Sequence, residues 1–256
     1  MTTGPLRVLE HDAVVYRRTW RGSMLVSFIS PLLFLAAMGV GLGNLVHNGT
    51  GTVEGVSYVR FLAPGLMAAA AMQTAVVEMT YPIMGKVHWQ RIYEAMLATP
   101  LAVRDLLIGE VAWLTIRLTM VATVFFVVMV AFGTVRAPLA LVAIPAAVLT
   151  GLAFGAPVLA FSATQTRDSG FAALNRFIVL PLFLLSGPFF PIEQLPRLLE
   201  SVAWVAPLAH GVALTRGAVL GTLGAGSALV HVIVLGAYAV SGVVVARGTP
   251  TRRLIT

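Results

Sequence analysis

SGPFFPIEQLPRLLESVAWVAPLAHGVALTRGAVLG, residues 186–221, lies between two long apolar runs and is neither a soluble domain nor a spanning helix. Pro188, Pro191, Pro196 and Pro207 divide it into pieces too short to cross a bilayer. A spanning helix needs about 20 consecutive apolar residues, and each proline removes a backbone donor. Between the breaks, Leu195, Leu198, Val202 and Val205 recur at helical spacing and leave Gln194, Arg197, Glu200 and Ser201 on other faces. The pattern predicts an amphipathic helix at a membrane interface or dipping into it, within a hairpin folded back against the membrane. An outer loop whose apolar residues cover helix ends fits the same periodicity, and both readings stand at this point.

The flanking composition sets the solvent. At 256 residues, 58% apolar and 11% charged, with a mean hydropathy of +0.91, the chain is too apolar for a soluble globule of this length. It reads as an integral membrane protein of the all-α class. With no cysteine there is no disulfide framework and no thiolate metal site. The net charge of +7 does not point to nucleic acid, because the basic residues gather in particular loops and not along one face.

Ahead of the first apolar run, Leu6, Leu9, Ala13, Tyr16 and Trp20 mark one helical face over residues 5–21, with Arg7, His11, Arg18 and Arg21 on another and Pro5 suited to a first turn. This predicts an amphipathic helix lying on the membrane surface. Six transmembrane helices are predicted, over about 23–43, 61–84, 106–132, 137–163, 171–190 and 227–246, with the hairpin at 191–221 between the fifth and sixth. The first carries Gly39 and Gly43 at a spacing that lets another helix approach. The fourth contains Pro145 and Pro157, tolerable where neighbours satisfy the freed carbonyls.

Basic residues fix the expected orientation. Arg7, Arg17, Arg18, Arg21, Lys86, Arg91, Arg104, Arg167, Arg176, Arg247, Arg252 and Arg253 fall on one side, whereas Arg60, Arg136, Arg197 and Arg216 fall on the other. Both termini are therefore expected in the cytoplasm, with the hairpin outside.

The link Gly85 to Asp105, GKVHWQRIYEAMLATPLAVRD, is long for a simple turn. Val87 to Thr99 can form a short helix with Trp89, Ile92 and Met96 along one side, stopped by Pro100. As an interfacial connector it would let Lys86 and Arg91 snorkel. Charge inside a bilayer is costly, so Glu78, Glu110 and Arg117 need partners. Glu110 and Arg117 are two helical turns apart on one face, and Glu78 is expected at similar depth on the antiparallel second span. An ion-pair cluster is predicted, with a proton relay or a substrate contact as the alternative.

Enzyme readings lack their parts. The single lysine, Lys86, sits in Gly-Lys-Val, so no phosphate-cradling GxxxxGK[ST] is present. His11, His47, His88, His210 and His231 have no metal-ligand spacing, and Asp168-Ser169-Gly170 is not a GxSG nucleophile turn.

The ordered series Ser186-Gly187, Phe190-Pro191-Ile192, Leu195-Pro196, Pro207-Leu208-Ala209-His210 and Arg216 resembles the last third of ABC-2 type permeases, the membrane subunits of ABC exporters. The nearest likeness is to the nodulation-type lipo-oligosaccharide and daunorubicin-type drug exporters. Arg91, Leu97 and Thr99-Pro100-Leu101 have that family's look of a short helix ended by a small-residue-Pro step. The resemblance implies a coupling helix at Trp89, Arg91, Ile92, Met96 and Pro100 that docks on a cytoplasmic ABC ATPase. It implies an outer hairpin marked by Pro191, Pro196, Pro207, His210 and Arg216. It also implies a second permease chain, identical or paralogous, ATP and Mg on the partner ATPase with no cofactor on this chain, and a place in the bacterial inner membrane among its lipids. The expected activity is export of an amphipathic drug, lipid or lipid-linked saccharide. A proton-coupled secondary transporter using Glu78, Glu110 and Arg117 is the alternative.

Overall fold

In a bilayer core an apolar chain can satisfy its backbone polar groups only within itself, so long apolar runs become helices. The computed structural model describes residues 4–37, 52–135 and 137–253, and they are helical apart from turns, loops and one isolated bridge between Val53 and Val56. The α-helices are α1 (Gly4–Phe34), α2 (Tyr58–Met79), α3 (Tyr81–Met84), α4 (Ile92–Leu97), α5 (Val103–Ala131), α6 (Ala143–Ser162), α7 (Ser169–Leu174), α8 (Leu180–Leu185), α9 (Arg197–Val205), α10 (Pro207–Leu220) and α11 (Ala225–Arg253).

Among the described residues, four helical stretches are long and apolar enough to cross a membrane: Tyr58–Trp89, Val103–Ala131, Pro138–Ser162 and Ala225–Gly248. The pair α9 and α10, bent by 83°, makes a fifth if counted as one broken crossing. Ser169–Leu185, at the predicted fifth span, is a shorter apolar helix. The predicted first span runs past the described residues, because 38–51, with Gly39, Gly43 and His47, lie outside them, as does Arg136. Its beginning belongs to α1, which continues unbroken from the expected surface helix over 5–21. The only break signal between the two is Gly22-Ser23, and one glycine costs a helix about 1 kcal/mol, too little to end it.

The bundle is arranged around α6, which packs against α2, α5, α10 and α11, while α1 lies along α5. Two helix ends are set by their side chains and prolines. At the start of α5, the Asp105 carboxylate accepts from the Ala102 backbone N–H at 3.0 Å, the N-terminal half of a capping box. Between α2 and α3 the helix breaks at Thr80, ahead of Pro82. There the Ser162 hydroxyl of α6 donates to the Met79 carbonyl at 2.5 Å.

The hairpin divides into two unlike halves. Ala206 is extended (φ −70°, ψ 131°), as a residue before proline prefers, and the chain turns its corner there. On one side of the corner α9 leaves Leu198 83% and Val205 68% exposed, as an interfacial helix would. On the other, α10 is enclosed between α2 and α6, with Leu208, Thr215 and Val219 fully buried. Small residues and satisfied polar groups permit this. The Thr215 hydroxyl donates to the Pro64 carbonyl at 2.9 Å. Arg216 donates through Nε to the Phe61 carbonyl (3.1 Å) and through Nη2 to the Gly187 carbonyl (2.7 Å), with its guanidinium 3.7 Å above the Phe61 ring. Gly65 is required by the close approach of the 187–188 loop, since a Cβ there would come within 2.9 Å of Pro188 Cα.

Candidate functional site

The link between α2 and α5 is the candidate site, and its structure begins one turn earlier than its sequence suggests. Gly85–Trp89 forms a π turn that continues the preceding helix. The chain then passes through Arg91 in the left-handed region (φ 51°) before α4 starts. Such a conformation is unusual for a side-chain-bearing residue and makes a sharp corner. The helix predicted over 87–99 is therefore two pieces, of which only Ile92–Leu97 is the short free helix. Trp89 is 63% exposed, and the Arg91 and Glu94 side chains form a surface ion pair at 3.7 Å. Ile92 is half-buried, Met96 packs against the core, and Pro100 is exposed. The outward face of the link is thus Trp89, Arg91, Glu94 and Ala95, with Tyr93 turned fully inward. His88 Nε2 lies 3.0 Å from the Gln165 carbonyl and ties the link to the loop after α6.

Behind the link lies a cluster that the spacing of charges only partly anticipates. Arg117 of α5 donates through Nε to Glu78 of α2 at 2.9 Å, and its guanidinium sits 4.5 Å from the ring centre of Tyr16 on α1. Glu110 has partners of its own. Its Oε1 accepts from Lys86 Nζ at 2.5 Å and from the Tyr93 hydroxyl at 2.7 Å. The same ammonium reaches both oxygens of Asp12 at 2.8 Å, and His11 Nδ1 lies 3.2 Å from Asp12 Oδ1.

Asp12, Lys86 and Tyr93 are the residues that sequence reasoning missed. Each reads as an ordinary polar residue of a surface helix or a link, and their partners are 17 to 74 positions away. One signal was available: Val8 and Asp12 share a face of α1 at a spacing of four, and that is the face that buries, while Leu6 and Trp20 of the predicted apolar stripe are exposed. Gly109 makes the contact possible, because a Cβ there would fall 2.6 Å from Val8 Cβ.

The electrostatics are those of a closed network. Asp12 and Glu110 are 5% and 2% exposed and Lys86 15%; buried charges persist only when paired and hydrogen-bonded. The Tyr93 phenol is held well above its usual range, first by burial and then by the neighbouring Glu110 carboxylate, so it remains a donor. A cavity of about 260 Å³ on one side of Glu110 is lined by Asp12, Tyr16, Glu78, Lys86 and Arg117. Another of about 220 Å³ on the other side is mostly apolar, with Val87, Tyr93, Leu107 and Leu159 in its wall. The Tyr16 hydroxyl is buried without a hydrogen-bond partner among the described residues.

At the opposite end, Pro191 precedes a short 3-10 turn, Pro196 caps the start of α9 and Pro207 is the first residue of α10. His210 Nε2 donates to the Trp204 carbonyl (2.8 Å), which leaves Nδ1 to accept from His231 Nδ1 at 2.8 Å. His231 in turn stacks on Trp204. His210 and Arg216 thus both hold the hairpin, His210 to α11 and Arg216 to α2. Among the described residues no group of three metal-ligating side chains occurs.

A multi-helix apolar bundle, a short link helix at one end and a sharply bent helix pair at the other narrow the relatives to be expected, and comparison settles the family. The profile of the ABC-2 type transporter family matches residues 8–220. The chain belongs to that family. It is 33% identical to nodulation protein J of Rhizobium leguminosarum bv. viciae over 250 residues, covering 98% of this chain and 95% of that protein. It is 31% identical to nodulation protein J of Sinorhizobium fredii over 251 residues, 98% and 94% of the two chains. Similarity to the inner membrane transport permease YadH of Escherichia coli is 23% over 201 residues, 76% of each. No solved structure matches. As an ABC-2 permease the chain is a multi-pass transport protein and is not itself the catalyst of ATP hydrolysis.

Proposed function

We propose that this chain is the membrane subunit of an ABC exporter in the bacterial inner membrane, with six spans, both termini in the cytoplasm and the 191–221 hairpin on the outer side. A separate ATPase binds ATP and Mg and docks on the link through Trp89, Arg91 and Glu94. Two permease chains complete the pathway. The cargo is an amphiphile of the drug, lipid or lipid-linked saccharide class, a reading that the nodulation protein relatives favour. Closure of the ATPase pushes the link, and the spans rock to release cargo toward the hairpin.

The observation that carries the reading is the construction of the link. It turns sharply at Arg91, with a large exposed Trp89 on its outer side just before the corner, while its inner side is fixed to the bundle by Lys86 before the corner and Tyr93 after it. An exposed tryptophan on a rigid corner suits an interface anchor, and such anchors are often worth about 2 kcal/mol or more. Trp89→Asp is therefore expected to release the co-purifying ATPase at unchanged permease abundance. Depleted permease, or an ATPase that stays bound, would mean that this face lies in the lipid interface instead. Met96→Asp is the contrasting variant, since Met96 faces the core and its change lowers abundance.

A further inference from the structure

The link touches the bundle over ground that is partly hollow. Val87, Met96 and Leu97 of the link pack against the core of the bundle, and pockets of about 260 and 220 Å³ lie beside Glu110. A polar network supplements that packing. Lys86 and Tyr93, both on the link, converge on one atom, Glu110 Oε1, at 2.5 and 2.7 Å. Lys86 also holds Asp12 of α1 through both carboxylate oxygens. Three separate elements, α1, the link and α5, are thereby joined at the Lys86 ammonium, which holds Asp12 of α1 and Glu110 of α5.

We infer that Lys86 and Glu110 together are the positioning residues that make α1 and α5 move with the link, and that the Tyr93 hydroxyl tethers α4 to them. Because Lys86 and Tyr93 sit on either side of the corner at Arg91, a displacement of α4 is passed through Tyr93 to Glu110 and so to α5. Lys86 passes the same displacement to α1 through Asp12. This rests on the reading of the link as the docking element, but the geometry it predicts is testable without any ATPase present.

Tyr93→Phe is the informative change. It keeps the ring in its buried place and leaves Glu110 Oε1 bonded to Lys86, so no buried acceptor is orphaned. The chain contains no native cysteine, which permits spin labels at Glu10→Cys on α1 and Ala98→Cys at the end of α4, both exposed positions. The distance between the labels is measured by pulsed electron resonance in lipid nanodiscs, for the permease alone and for the complex with its ATPase before and after adding ATP and vanadate. With Tyr93 present, the distance distribution is expected to be narrow and unchanged by nucleotide, because α1 and the link travel together. In Tyr93→Phe it is expected to widen about twofold as one arrangement becomes several, and to shift with nucleotide in the complex while ATP is still hydrolysed. A Tyr93→Phe distribution identical to the parent's in the isolated permease overturns the inference, as does a parent distribution that is already broad. Failure of any ATPase to co-purify with the parent counts against the proposed function and leaves the label distances of the isolated chain to decide the tether.

Discussion

Arg117 and Lys86 are both intramolecular cations of the same end of the bundle, yet only Arg117 announced its partner. Glu78 and Arg117 stand inside apolar runs, where a charge has no bland explanation, and antiparallel neighbouring spans bring them to one depth. Lys86 sits at a helix end, where snorkelling to water accounts for it equally well. Its real partners, Asp12 and Glu110, belong to helices that are far apart in sequence and approach closely at Val8 and Gly109. The two pairs also differ in what their loss costs. Arg117→Ala leaves Glu78 without its donor and uncovers the Tyr16 ring. Because Glu78 keeps 21% exposure, water relieves part of the loss, and the expected cost is at the lower end of the range for broken buried pairs, about 3 kcal/mol. Thermal unfolding in detergent measures it. A stable Arg117→Ala protein whose transport has lost a proton dependence would instead support the secondary-transporter mechanism.

At the level of elements, the corner before Pro207 was legible because proline dictates the conformation of the residue ahead of it, and the amphipathic stripe of α9 was legible because it follows helical period. The burial of α10 was not. Its sequence, PLAHGVALTRGAVL, carries an Arg, a His and a Thr that argue for a surface; carbonyls of α2 and the 187–188 loop receive the Thr and the Arg, and the Trp204 carbonyl and His231 receive the His. The loop is held down by Arg216 and by the absence of a side chain at Gly65. Gly65→Ala is expected to lift the loop by forcing apart atoms now 2.9 Å from the added carbon, costing about 1 to 3 kcal/mol as overpacking does. The loosened hairpin should be seen as faster proteolysis within 187–196 at unchanged ATPase binding. Insensitivity of the hairpin to Gly65→Ala would show that the hydrogen bonds from Arg216 and Tyr58 suffice to hold it.

For the whole molecule, hydropathy was enough to establish an all-helical membrane protein, since the bilayer leaves few alternatives. The number of crossings is a finer matter. A surface helix merged with the start of the first span because nothing in Gly22-Ser23 is strong enough to part them, and the apolar stretch 169–185 is short because the Ser186–Pro191 turn ends it. Sidedness rests on where arginines gather, and it can be read directly in a chain that lacks cysteine. Gln90→Cys on the link is expected to react with a membrane-impermeant maleimide only after the cells are opened, whereas Glu200→Cys on α9 reacts in intact cells. The reverse pattern would invert the molecule and place the docking face outside.

The seat of α10 between α2 and α6 also sets an order of events during synthesis. Both walls of that slot leave the ribosome well before the helix that fills it, and the chain must still make α7, α8 and the α9 corner before returning. Until then the nascent permease carries an open cleft at its heart, lined by the bare backbone at Gly65 and by the Pro64 and Phe61 carbonyls waiting for Thr215 and Arg216. The window in which chaperones or membrane proteases can distinguish a finished molecule from an unfinished one therefore closes late, when the last third of the chain is inserted like a keystone.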